Sequence, residues 1–172
     1  MIATDRYDSL IRWYWMDAIA RYGFDDVVDW RLVKAQVKKE SDFMPRALNQ
    51  KSGASGLLQL EPNTWGEGFA NDRFDPELNL MKGIRALGDK WSIFRKETGL
   101  ERWKLALGAY NAGEKHIIDA QTLCERHQRP TDQWIELAQV LPLLTGTDNA
   151  RETVDYVRTI IADYLAMKVA AA

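Results

Sequence analysis

The chain has 172 residues, enough for one domain with a full hydrophobic core. Hydrophobic residues make up 46% and charged residues 28%, the balance of a soluble globular protein. A net charge of −2 gives no pull toward nucleic acid, and the lone Cys124 excludes an intrachain disulfide.

Helical periodicity runs almost end to end, and alternating strand patterns are nearly absent. The opening Met1 to Asp8 has an early acidic residue and no apolar h-region, so no signal peptide is expected. The first predicted helix covers about residues 5–21, with Asp5 as its expected cap. The second covers about 26–42. At about 100° per residue, Trp30, Val33, Val37 and Glu40 share one stripe, while Lys34, Lys38 and Lys39 fall elsewhere. Glu40 is therefore a carboxylate aimed with the core. Burial raises the pKa of such a group, and a raised pKa suits a general acid. The plainer reading is an ion-paired Glu at the edge of the stripe.

From Pro45 to Asn71 the chain is rich in Gly, Ser and Asn, which predicts an irregular, cleft-lining segment. Within it, Ser52 to Pro62 has small residues at 53, 54 and 56, where backbone can approach a neighbour closely. Gln59 offers both a donor and an acceptor. Further helices are expected over about 76–97, 101–112, 114–127, 131–144 and 149–168. Pro76 and Pro130 stand at their starts, Thr131 and Asn149 as caps, and Gly113 as a stop. Trp103, Ala106, Leu107 and Tyr110 form one inward stripe, so the Tyr110 hydroxyl needs a partner. Cys124, His116 and His127 lie near one another in sequence, but a zinc site needs a fourth ligand and better spacing. No metal or cofactor is expected. Val169 to Ala172 reads as a frayed tail.

Four motifs then stand in order. They are Glu40-Ser41; Gly53-Ala54 with Gly56-Leu57-Leu58-Gln59-Leu60 and Pro62; Ala109-Tyr110-Asn111-Ala112-Gly113; and Glu152-Thr153 with Tyr156-Val157. Together they resemble the soluble lytic transglycosylases, relatives of goose-type lysozyme, over about residues 30–165. The resemblance implies an all-α, lysozyme-like single globular domain over residues 1–172, with a substrate cleft. It implies cleavage of peptidoglycan glycan strands between N-acetylmuramic acid and N-acetylglucosamine. Glu40 matches the family's one catalytic carboxyl group. It would protonate the glycosidic oxygen, then take the proton of the muramoyl C6 hydroxyl as that oxygen attacks C1. A 1,6-anhydro sugar results, and no water is consumed.

The same resemblance makes Gln59, Tyr110, Asn111 and Glu152 contacts to the substrate. Asn49 stands where the family carries a serine nine positions after the Glu, and Ser52 is the substitute. The Glu40–Gly53 segment is one residue longer than the usual pattern, and Leu58 and Glu61 replace common methionines. The expected partner is the glycan strand, bound by a monomer through hydrogen bonds and aromatic contacts. No membrane span is expected, since no apolar run is long enough. Action in the bacterial envelope without a leader suits a phage-encoded enzyme, carried in the virion or released at lysis. Two other readings stay open. A hydrolytic goose-type muramidase would need a second carboxylate, with Asp72, Asp75 and Glu61 the candidates. A non-catalytic glycan-binding protein would have no need of an inward Glu40.

Overall fold

The computed structural model describes residues 5–65 and 72–171. Among them are eight helices and no strand: α1 (Asp8–Tyr22), α2 (Arg31–Ser41), α3 (Pro62–Trp65), α4 (Pro76–Ile93), α5 (Gly99–Ala112), α6 (Glu114–Arg126), α7 (Trp134–Thr145) and α8 (Thr147–Ala170). The all-α expectation holds. The described residues form two compact units, one of Met1–Ala86 with Asp163–Ala172 and one of Leu87–Ala162. The boundaries fall inside α4 and α8.

In the first unit, α2 is wrapped on most sides. Leu32, Val33, Ala35 and Val37 are buried, and so are Lys34, Gln36 and Ser41. This corrects the single-stripe picture, because polar residues here are buried as well. Lys34, only 9% exposed, survives burial because its ammonium lies 2.7 Å from Asp5 and 2.8 Å from Asp8. Asp5 is thus an ion-pair partner rather than the expected cap of α1, which starts after Tyr7 without a side-chain cap. Gly23 at φ 68° ends α1, its N–H donating to the Ile19 carbonyl. Helix α2 starts at Arg31 rather than near 26. Asp29 sets that start, its Oδ1 accepting the Arg31 N–H at 2.9 Å. Trp30, at the N-cap, is half-buried and has the Arg12 guanidinium 4.2 Å from its ring centre.

The segment after α2 is irregular, as its composition predicts, except for α3. Isolated bridges pair Ser55 with Leu48 and with Leu60. The stretch at 66–71 lies outside the described residues.

In the second unit, α5, α6 and α7 pack on one another. Gly108 makes the closest approach, since a Cβ there would sit 2.6 Å from a ring carbon of Trp134. Helix α7 begins at Trp134, not near 131, and Thr131 is not its cap. Glu101 of α5 does that work, its Oε2 accepting the Trp134 N–H at 2.8 Å. Helix α4 ends at Ile93 rather than 97, and Phe94 and Glu97 are buried beyond it. Gln121 donates to Glu97 at 2.6 Å and to the Thr131 carbonyl at 2.9 Å. Helix α8 starts two residues before Asn149, so Asn149 is not a cap. It continues through Val169 and Ala170, so the first half of the expected tail is helix. Pro76 does open α4, and Gly113, at φ 88°, closes α5.

Candidate active site

Glu40 sits in the last turn of α2, half-buried. The next residue fixes that helix end. The Ser41 hydroxyl is buried and shared between the carbonyls of Val37, at 3.1 Å, and Leu57, at 2.9 Å. Asp42 and Phe43 then take left-handed backbone, at φ 48° and 61°, and turn the chain sharply away from the helix.

The loop that Ser41 holds carries Gln59. Leu57, Leu58 and Leu60 point into the core. Gln59, between them, is half-exposed at φ 43°. Its amide nitrogen donates to the carbonyls of Gly56, at 2.9 Å, and Ala47, at 3.2 Å. Asn49 and Ser52, both exposed, build the preceding turn. Asn49 Oδ1 accepts the N–H groups of Lys51 and Ser52, at 3.0 and 3.3 Å, and Ser52 Oγ accepts that of Ala54 at 3.2 Å. Their first visible role is local.

The remaining expected residues belong to the second unit. Tyr110 is half-buried near the end of α5. Asn111 and Glu152 meet at a polar recess of about 200 Å³, together with Ala112, His116, Thr145, Asn149 and Thr153. Thr153 orients Asn111, donating to its Oδ1 at 2.8 Å and so leaving the amide nitrogen as the group to offer. Glu152 is exposed and forms no ion pair with any described residue.

Of the candidate second carboxylates, Asp75 is occupied as the cap of α4, its Oδ1 accepting the Leu78 N–H at 2.9 Å. Asp72 and Glu61 are exposed. Cys124 is fully buried, which pushes its thiol pKa up, and His127 is exposed. Among the described residues, no three His, Cys, Asp or Glu side chains are grouped so as to hold a metal ion.

Sequence reasoning passed over Asn79 and weighed His116 only as a zinc ligand. His116, three residues past the Gly113 stop, gives no periodic signal. Asn79 does give one. It shares a helix face with Gly83, and a polar residue beside a glycine on an otherwise apolar face marks a close backbone approach.

The family model described as the transglycosylase SLT domain matches residues 17–132. Those residues include Glu40, the Gln59 loop and the Ala109–Gly113 motif. The protein named membrane-bound lytic murein transglycosylase F from Maricaulis maris is 38% identical over 118 residues, covering 68% of this chain and 26% of that protein. Its namesake from Desulfosudis oleivorans is 33% identical over 162 residues, covering 88% and 35%. The chain therefore spans a quarter to a third of these curated relatives. The solved structure of an inactive mutant of lytic transglycosylase Slt from Pseudomonas aeruginosa superposes with a TM-score of 0.65. It is 22% identical and covers 97% of this chain and 25% of that one. That likeness concerns the fold alone. No described helix is long and apolar enough to cross a membrane.

Proposed function

Because the chain belongs to the transglycosylase SLT domain family, we propose that it cleaves peptidoglycan glycan strands without water. The bond broken is the β-1,4 link between N-acetylmuramic acid and N-acetylglucosamine. Glu40 first gives its proton to the glycosidic oxygen, which leaves with the N-acetylglucosamine end. As a carboxylate, Glu40 then removes the proton from the muramoyl C6 hydroxyl, whose oxygen bonds to C1. The carboxyl group is restored, and the product carries a 1,6-anhydro ring. One carboxyl group suffices because the nucleophile belongs to the substrate.

The observation that carries this reading is the family match across Glu40, the Gln59 loop and the Ala109–Gly113 motif. A half-buried carboxyl in the last turn of a fixed helix suits the role, since one side meets substrate while the other is kept from water. Gln59, whose amide nitrogen is engaged by the loop, would read the sugar through Oε1. Asn111 and Glu152 would take polar groups of the strand or its peptide stem, and Tyr110 would bond near the reacting sugar. Asn49 and Ser52 would shape the loop and contact sugar from it. The place of action would be the bacterial envelope, as the relatives' names suggest.

Mass analysis of peptidoglycan digested by the purified protein tests the proposal. Anhydro-muramoyl ends are expected. Reducing ends would mean a hydrolase, and no new ends would mean a binding protein.

A further inference from the structure

The Gln59 loop is held in a costly conformation, and a buried side chain of α4 is one of its anchors. Asn79, in the first turns of α4, is 0% exposed. Its Oδ1 accepts the Leu58 N–H at 2.8 Å. Its Nδ2 donates to the Ser55 carbonyl at 2.9 Å and to the Arg73 carbonyl at 3.2 Å. One amide thus ties three backbone groups from two segments. The fit leaves no slack. A Cβ on Gly56, itself at φ 80°, would fall 2.0 Å from Asn79 Nδ2. One turn along the same face of α4, a Cβ on Gly83 would fall 2.3 Å from Leu58 Cδ1.

The consequence lies one residue further on. Gln59 holds φ 43°, a strained region for a non-glycine residue that persists only where its surroundings enforce it. Two anchors bound the strained stretch. Ser41, beside Glu40, holds the Leu57 carbonyl, and Asn79 holds the Leu58 N–H. Without the second anchor, Gln59 can relax toward negative φ, and its side chain turns off its present direction.

We propose that Asn79 is a positioning residue for substrate, keeping the Gln59 loop in the conformation that contacts the glycan strand. The inference rests on the reading of Gln59 as a sugar contact. Asn79 touches no substrate and acts through Gln59.

The test uses the Glu40→Gln protein, which is expected to bind strands without cutting them. Binding of purified glycan strands is measured for this parent and with Asn79→Asp, Gln59→Ala and both together. Asp keeps the acceptor for Leu58 but loses both donated bonds. Asn79→Asp is expected to weaken binding about tenfold, equivalent to ~1.4 kcal/mol. The double variant is expected to bind no more weakly than Gln59→Ala alone, because both changes remove one contact. Additive losses, or unchanged binding in a folded Asn79→Asp protein, overturn the proposal even if melting temperature falls. If Asn79→Asp does not fold, Asn79→Ala takes its place in the same cycle. If the parent binds no glycan at all, the proposed function fails by itself. Hydrogen exchange at the Leu58 and Gln59 amides then decides the clamp. Selective loss of protection there in the Asn79 variant upholds it, and protection unchanged or lost evenly across the chain overturns it.

Discussion

Glu40 and Lys34 lie on the same helix, less than two turns apart, and they show how one backbone can set two charges to different tasks. Lys34 is surrounded by carboxylates that neutralise it. Glu40 stands at the helix end, half-open to solvent, beside a serine bonded to a neighbouring loop. If Glu40 supplies and then takes up the proton, Glu40→Gln keeps the shape and removes the chemistry. General acid–base groups typically contribute about 10²–10⁴-fold. With one group serving both steps, the loss is expected at the upper end or beyond it. Clearance of a peptidoglycan suspension reads the rate, and circular dichroism reads the fold. A rate within about tenfold of the parent would remove Glu40 from the catalytic role.

At the scale of the elements, α2 depends on its buried ion pairs. Burial alone would lower the Lys34 pKa, but hydrogen bonds and charge from Asp5 and Asp8 outweigh it and raise the pKa above the usual lysine value of 10.5. A group whose folded pKa is raised contributes stability that is fully present below the unfolded pKa. That contribution is lost as pH rises through the folded pKa. Urea unfolding of the parent should therefore show a loss of stability above about pH 10.5 that Lys34→Met lacks. Below that pH, the variant leaves Asp8 partly buried without its cation, and a loss of about 3 kcal/mol is expected. Equal pH slopes in the two proteins would show that the pair is not coupled to folding.

The contact between α5 and α7 makes a second element-scale prediction. Ala is intrinsically better than Gly in a helix by about 1 kcal/mol. At Gly108, however, the added carbon meets the rigid Trp134 ring at 2.6 and 2.8 Å. Overpacking of this kind costs about 1–3 kcal/mol. Gly108→Ala should therefore lower the melting temperature, and a rise would mean that the two helices separate freely.

For the whole molecule, charge is nearly balanced at −2. Glycan recognition should then rest on hydrogen bonds and aromatic contact rather than long-range attraction. Raising ionic strength from about 0.01 M to 0.15 M shortens the Debye length from about 30 Å to 8 Å. Cleavage of glycan strands should change by less than about threefold over that range, since there is little bulk attraction to screen. A fall of more than tenfold would point to an unrecognised basic contact with the anionic wall.

Helix existence was readable because apolar periodicity is local, and all seven expected helices end within four residues of their observed C-termini. The second helix also ends close to its expected end, yet it starts at Arg31, because the Asp29 side chain intervenes. The four motifs in order likewise needed only the sequence to point to the family that the matched model bears out. Partnership across the chain was not readable. Nothing near Thr131 signals that Glu101 caps α7, and nothing near Asp5 signals its pairing with Lys34. Nothing around Gln59 shows that Asn79, twenty residues on, holds the loop beneath it. Local pattern fixes which residues become helix and which face is apolar. Buried polar groups must find partners wherever the folded chain brings them, and only the tertiary structure decides where that is.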